Sequence, residues 1–282
     1  MEAVEHGRVA VEGGQVTYRV YGHGSRALLC LHGGPGCPSW YLDSLADLAS
    51  DDLRIVFYDQ LGCGDSEAPD DVSLWTLERF VREVEQVRSA LDLGRVDVFG
   101  HSFGGMLAQE WALRHPEELR TLILASTTCS VPALRDELAR LVAAMPDDQR
   151  QALDAGASAP GYAEAHEEFS RRHLCRIPYP EPVERALGAV AAPVYTHMWG
   201  PDGFKVEGTL AHWDICESIE AIRASTLITV GGFDEVTPAC AERIRARIAG
   251  SELVAFPSSA SLAHWEERGA FMACVRGFLA NH

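Results

Sequence analysis

VDVFGHSFGG, residues 96–105, decides how this chain folds. Its first half is a short apolar run of the kind that forms a buried strand. It ends on Gly100-His101-Ser102-Phe103-Gly104, a Gly-x-Ser-x-Gly pentapeptide. MLAQEWALRHP (106–116) follows and reads as a helix stopped at Pro116. The pentapeptide alone is common, but here it has a strand before it and a helix after it. In that context it makes a sharp turn that lifts the serine hydroxyl clear at the carboxyl end of a sheet, and the flanking glycines relieve the crowding. Ser102 is therefore the expected nucleophile. The Phe103 amide, at a helix N-terminus where free N–H groups and the dipole favour negative charge, is an expected oxyanion donor.

Outward from this turn the chain alternates strands and helices. RVAVEGGQVTYRV (8–20) has period-2 alternation around Gly13-Gly14 and reads as a hairpin. ALLCLH (27–32) is a continuous apolar run of the buried-strand type, and RIVFYD (54–59), TLILAS (121–126), TLITVGG (226–232) and ELVAF (252–256) repeat it. Residues 73–92 place Trp75, Leu77, Phe80, Val81, Val84, Val87 and Leu91 on one broad helical face. This alternation points to a parallel sheet covered on both faces. Between about 128 and 208 no apolar strand appears, and DELARLVAAM and YAEAHEEFSRRHL read as helices. The expected organisation is a core of residues 1–127 and 209–282 with a helical cap of residues 128–208 inserted. The loop after the first buried strand, His32-Gly33-Gly34-Pro35-Gly36, lets backbone approach a substrate, and the Gly34 amide is the expected second oxyanion donor.

Composition narrows the partners. Forty-one Asp and Glu against 24 Lys and Arg leave a formal charge of −17, which argues against nucleic acid and anionic membrane surfaces. MEAVEHGRVAVEGG has neither the basic start nor the apolar stretch of a secretory leader, and no run approaches the ~18 apolar residues of a membrane span. A cytoplasmic location is the expectation. The eight cysteines form no Cys-x-x-Cys and several lie in apolar patterns, so they read as buried free thiols of a reducing compartment. No metal-binding motif is present, and no metal or cofactor is expected.

LHGGPG (31–36), YDQLGCGDS (58–66) and GHSFGG (100–105), in this order and spacing, resemble the proline iminopeptidase family of α/β-hydrolases. TLERFVREVEQVRSAL (76–91), MWGPDGF (198–204), GTLAHWD (208–214) and GGFDEVTP (231–238) agree with it. The resemblance implies the α/β-hydrolase fold: a mostly parallel central sheet, helices on both faces and an inserted helical cap. It also implies cleavage of a small N-terminal aminoacyl group from a peptide or amide through an acyl-enzyme. Members include proline iminopeptidases, tricorn-interacting aminopeptidases, amino-acid amidases and aminoacyl-removing enzymes of polyketide macrolactam pathways. A small-molecule or short aminoacyl peptide is the implied partner. Asp234 matches the family's triad acid, and its place after a strand fits the chain order Ser, Asp, His independently. Asp59 and Asp214 compete, but the first is expected to hold its own loop and the second to start a helix. Glu235 matches a residue that binds the substrate's free α-amine in the resembling aminopeptidases, as a carboxylate beside a cleft is able to do.

Two positions depart from the family pattern. The family places its catalytic histidine four residues before Trp-Glu. Here that stretch is Ala260-Ser261-Leu262-Ala263-His264-Trp265-Glu266-Glu267, and the histidine position holds Ser261. A hydroxyl is no base at neutral pH, whereas imidazole titrates near 6.5. Three readings stay open: a serine introduced to trap bound substrate, a member that has lost or redirected its chemistry (a cyclase, lyase or binding protein), or His264 as the base. His264 lies about one helical turn on, roughly 5 Å away, beyond the reach a base needs. The second departure is Gly203, which occupies the position of a cap glutamate that pairs with the substrate amine, with Asp202 one residue off.

Overall fold

The computed structural model describes residues 3–282. Eight strands form one sheet in the order β1-β2-β4-β3-β5-β6-β7-β8: β1 (Glu5–Val11), β2 (Gly14–Tyr21), β3 (Arg26–Leu31), β4 (Leu53–Tyr58), β5 (Val96–His101), β6 (Leu119–Ala125), β7 (Ser225–Gly231) and β8 (Glu252–Phe256). Only β1 and β2 run antiparallel to their neighbours, and every pairing from β4 to β8 is parallel. The hairpin turn falls on Glu12-Gly13 rather than Gly13-Gly14, because the φ of +97° belongs to Gly13. At the centre of the sheet β5 is buried at every residue and β3 at all but its first, and the one acid in β5, Asp97, is buried against Arg26 and the Thr121 hydroxyl.

Helices cover both faces. On one face α1 (Leu77–Ala90) and α2 (Phe103–Arg114) pack Phe80, Val84, Leu107 and Trp111 against the sheet. The other face is covered by the 3₁₀ segment Ser39–Leu48 and the C-terminal helix Arg268–Asn281, through Leu42, Leu45, Phe271 and Val275. The Thr76 hydroxyl accepts from the Arg79 amide and starts α1, leaving residues 72–74 as a separate 3₁₀ turn. Between β6 and β7 the chain forms α3 (Val131–Ala143), α4 (Asp147–Ala155), α5 (Tyr162–His173), α6 (Glu181–Gly188) and α7 (Ala192–Met198). No helix among the described residues is long and apolar enough to cross a membrane.

The two stems of this helical insertion are tied together. Val131 N–H donates to the Trp213 carbonyl and Ile215 N–H to the Cys129 carbonyl, each at 2.9 Å. The Ser130 hydroxyl donates to Asp214 at 2.7 Å. Beside them Cys129 and Cys216 form a disulfide, which corrects the expectation that every cysteine is a free thiol and removes the cysteine argument for a reducing compartment. The partners are 87 residues apart in sequence, so no local spacing betrays the pair. The other six cysteines are free. Unfolded protein kept from reductant should therefore titrate six thiols with a chromogenic disulfide reagent, and eight after reduction. Eight without reductant would show that the stems are held by hydrogen bonds alone.

Candidate active site

The turn after β5 is as tight as its glycines suggest. Ser102 sits at φ 53°, ψ −121°, a conformation that L-residues adopt at a cost of order 1–3 kcal/mol. A methyl group on Gly100 would stand 2.4 Å from the Gly104 carbonyl oxygen, and one on Gly104 would stand 2.0 Å from that of Leu31. Ser102 is held by its backbone: its N–H donates to Ala125 at 3.0 Å, and its carbonyl accepts from Gly105 N–H at 2.9 Å and Thr127 Oγ1 at 2.7 Å. It lines a cavity of about 740 Å³ between the sheet and the helical insertion.

The Phe103 and Gly34 amides lie at this cavity and donate to no protein group among the described residues. The Gly34 loop is fixed by its neighbours. The His32 ring bonds the Gly33 carbonyl through Nδ1 (3.0 Å) and accepts the Gln60 amide at Nε2 (2.9 Å), and Gln60 Nε2 donates to the His32 carbonyl.

A relay of hydrogen bonds runs beneath the nucleophile. Gly33 N–H donates to the Tyr41 hydroxyl (2.7 Å), Tyr41 O–H donates to His101 Nδ1 (3.0 Å), and His101 Nε2–H donates to the Ser261 carbonyl (2.9 Å). A carbonyl only accepts, so each proton in this chain is assigned by its partners. Both His101 nitrogens are engaged, and burial lowers the ring's pKa to about 4. It has no free lone pair for the Ser102 proton. The Ser261 carbonyl accepts a second bond from Ser126 Oγ at 3.0 Å.

Asp234 lies on the turn after β7 and is 1% exposed. It accepts from Val236 N–H (2.9 Å) and Gly231 N–H (3.3 Å). Its turn is pressed against the 257–262 loop: Phe233 N–H donates to the Ser259 carbonyl, and a methyl on Gly231 would lie 2.0 Å from the Ala260 oxygen. Burial pushes the Asp234 carboxyl up to about 7, against the Ser126 and Ser261 hydroxyls and the two amides, which favour its charged form. The Ser261 hydroxyl is close enough to bias that equilibrium but makes no hydrogen bond of normal geometry.

The register of residue 261 is set from both sides. Glu266 accepts from Ala260 N–H (2.9 Å) and Arg176 N–H (2.7 Å), and Trp265 Nε1 donates to the Tyr41 carbonyl (2.6 Å). His264 is turned away from Ser102. It is 1% exposed, its Nδ1 bonds Ser44 Oγ at 2.8 Å, and it packs against Tyr41, His101 and Phe271 rather than lining the cavity. Burial drives its pKa well below the usual imidazole value. Ser102, Ser261, Gly34, Phe103 and Glu235 thus share one cavity, with Asp234 behind Ser261 and His264 outside it.

Glu235 lines the cavity wall with Tyr195 and has no cationic partner among the described residues. Burial, with the neighbouring Asp234 charge, raises its carboxyl to about 8. Its side chain is walled in by protein yet keeps some surface toward the cavity, and with its pKa raised it holds its proton near neutral pH. Gly203 leaves space open: a methyl there would lie 3.5 Å from Tyr195 Oη and 4.0 Å from His166 Nε2. Asp202 does not line the cavity, and its Oδ1 accepts the Phe204 amide at 2.8 Å. Asp59 binds the Ser39 and Asp65 amides, and Asp214 binds Ser130 and the Cys216 amide, so both hold loops.

A family model described as alpha/beta hydrolase fold matches residues 26–268. Proline iminopeptidase of Saccharolobus solfataricus is 37% identical over 98% of this chain and 92% of its own length. That of Thermoplasma volcanium is 36% identical over 98% and 96%. The chain belongs to the proline iminopeptidase family of α/β-hydrolases. Among solved structures, VinJ superposes with a TM-score of 0.94 at 30% identity over 99% of both chains. Proline iminopeptidase from Mycobacterium smegmatis superposes at 0.91, with 31% identity over 99% and 98%. Of the residues named from the sequence, Ser102, Gly34, Phe103, Glu235 and Ser261 line this cavity, while Tyr41 and Ser126, which hold the Gly33 amide and the Ser261 carbonyl, were not named. Tyr41 bears no motif, and Ser126 is simply the last residue of an apolar strand pattern.

The buried acid has a measurable signature. In the folded chain Asp234 keeps its proton to about pH 7, and unfolded it releases it near 4. The folded state binds more protons between those values, so this group's contribution to stability falls as pH rises from about 4 to 7, by up to about 4 kcal/mol, and is level above. Asp234→Asn should remove that fall. Denaturant curves of the two proteins between pH 4.5 and 8 would converge or diverge accordingly, and a constant difference would mean Asp234 is ionised throughout.

Proposed function

We propose that this chain is a serine hydrolase of proline iminopeptidase type whose acyl-transfer site is assembled except for its proton acceptor. It binds small N-terminal aminoacyl peptides or amides and turns them over slowly. The observation that carries this reading is Ser261, fixed through its carbonyl on the cavity it shares with Ser102 and close to Asp234, at the chain position where the family's imidazole is expected. A carbonyl carbon placed at Ser102 Oγ would have its oxygen between the Gly34 and Phe103 amides, and the α2 dipole would favour the developing charge. The substrate's ammonium would meet Glu235 and draw that carboxyl into its charged form. The helical insertion would act as the cap that sets substrate size. The net charge of −17 favours such small compounds over nucleic acid or anionic membranes.

What fails is proton removal. His101 has no free lone pair, His264 lies behind the cavity wall, and a serine hydroxyl does not take a proton at neutral pH. Loss of such a base lowers kcat by roughly 10⁶ in a serine protease, leaving the part supplied by binding and the oxyanion hole. Gly203 favours a second reading, a member that uses the same cavity without hydrolysis, because the amine site lacks one expected carboxylate as well.

Labelling with a fluorophosphonate separates them. The wild type should label slowly and only at Ser102. Ser261→His should label promptly and raise release of p-nitroaniline from proline p-nitroanilide by on the order of 10⁴ or more. If Ser261→His folds and stays inert, the non-hydrolytic reading stands. In the Ser261→His background, Glu235→Gln should raise KM about 10- to 100-fold with a smaller change in kcat, the range expected for one charge-assisted hydrogen bond. An unchanged KM would remove Glu235 from amine binding.

A further inference from the structure

The position beside Ser261 has the walls of a binding site. Two hydrogen bonds to the Ser261 carbonyl, from His101 Nε2 and Ser126 Oγ, fix its Cα and the direction of its Cβ whatever the side chain. The serine side chain reaches only one atom beyond that Cβ. It is 2% exposed, it lines the cavity, and its Oγ has no hydrogen-bond partner. Behind it stands the Asp234 carboxylate, held by amides and hydroxyls and paired with no cation among the described residues. The Ser102 side chain lines the same cavity. A guest that satisfies both sides must donate one N–H to Asp234 and offer one lone pair to Ser102 O–H. It must also be small and flat enough for a space a side chain could fill. An ammonium has donors only, and water is too weak a base. Neutral imidazole has one of each, on opposite edges.

We propose that the slot beside Ser261 binds a neutral imidazole-class base, free or carried by a histidine at the start of the leaving peptide, which completes the proton relay between Ser102 and Asp234. The inference rests on the assignment of Ser102 and Ser261 made above. In the step it enables, the guest's unprotonated nitrogen takes the Ser102 proton as Oγ bonds to the substrate carbonyl carbon, and its other N–H stays on Asp234. The imidazolium then gives that proton to the leaving amine as the C–N bond breaks. Water then bonds to the acyl carbon while the imidazole still in the slot, free or on the cleaved peptide before it departs, takes the water proton and passes it to Ser102 Oγ as the acyl C–Oγ bond breaks, and the guest is returned unchanged.

The test measures fluorophosphonate labelling of the full chain against imidazole concentration at pH 8, where the phosphorus–fluorine bond breaks as Oγ–P forms. The rate should rise about 100-fold or more and saturate, the scale of general-base catalysis. N-methylimidazole, which lacks the N–H, should accelerate far less. Ser261→Leu should abolish the response by filling the slot. Ser261→His should be fast without imidazole and indifferent to it. Proline release from Pro-His-amide, set against Pro-Phe-amide with no added base, distinguishes the sources: a faster histidyl peptide assigns the guest to the substrate, and equal rates assign it to the free base. A small, linear, unsaturated acceleration, or one retained in Ser261→Leu, overturns the site while a fast Ser261→His leaves the hydrolase reading intact. If Ser261→His, folded by its thermal transition, is also slow, the hydrolase reading and the slot fall together.

Discussion

The constraint on which the site depends is steric, at the contact between the start of α2 and the end of β3. The Gly104 Cα approaches the Leu31 carbonyl so nearly that no side chain fits. That approach sets where α2 begins, which forces Ser102 into positive φ and points its hydroxyl out of the sheet. The same contact places the Phe103 amide beside the Gly34 loop, because the loop is simply the continuation of β3. Nucleophile and oxyanion donors are therefore fixed by one packing event rather than by separate adjustments. The free energy for holding a strained serine comes from the two apolar layers on either face of the sheet.

Electrostatics in the cavity run the other way. Two adjacent carboxyls, Asp234 and Glu235, lie in a protein interior with no cation to answer them. A site with an imidazole at residue 261 and an ammonium at Glu235 would hold two positive charges against these two negative ones. Residue 261 is a serine here, and burial holds both acids toward their protonated forms. Under the amine binding proposed for Glu235, a cationic amine would displace a proton from that carboxyl.

How much of this was legible in the sequence depends on the range of the contact. The sheet was legible because each buried strand is a short apolar run between breakers, and the elbow because two local patterns meet at five residues. The serine at the position of the family's histidine was legible because Trp265 and Glu266 pin the register, and the structure shows how: one anchors on the Tyr41 carbonyl and the other on the Ala260 amide. The direction of His264 was not legible. One helical turn moves it from the cavity to the Ser44 hydroxyl, and nothing local says which side of the loop it will face. The Tyr41–His101–Ser261 relay joins residues 60 and 160 positions apart in the chain, and only the folded layers bring them together. The disulfide is hidden in the same way, since its cysteines become neighbours only once the insertion has left the sheet and returned.

That disulfide has a topological consequence. By bonding the exit stem at Cys129 to the return stem at Cys216, it turns the helical insertion into a covalently closed ring hung from the sheet. A single protease cut anywhere inside the ring leaves a molecule of unchanged connectivity: both halves of the insertion stay attached, and β6 and β7 remain on one covalent framework. The segment that covers the cavity is thus also the segment in which a break in the backbone does the least harm to the rest of the fold.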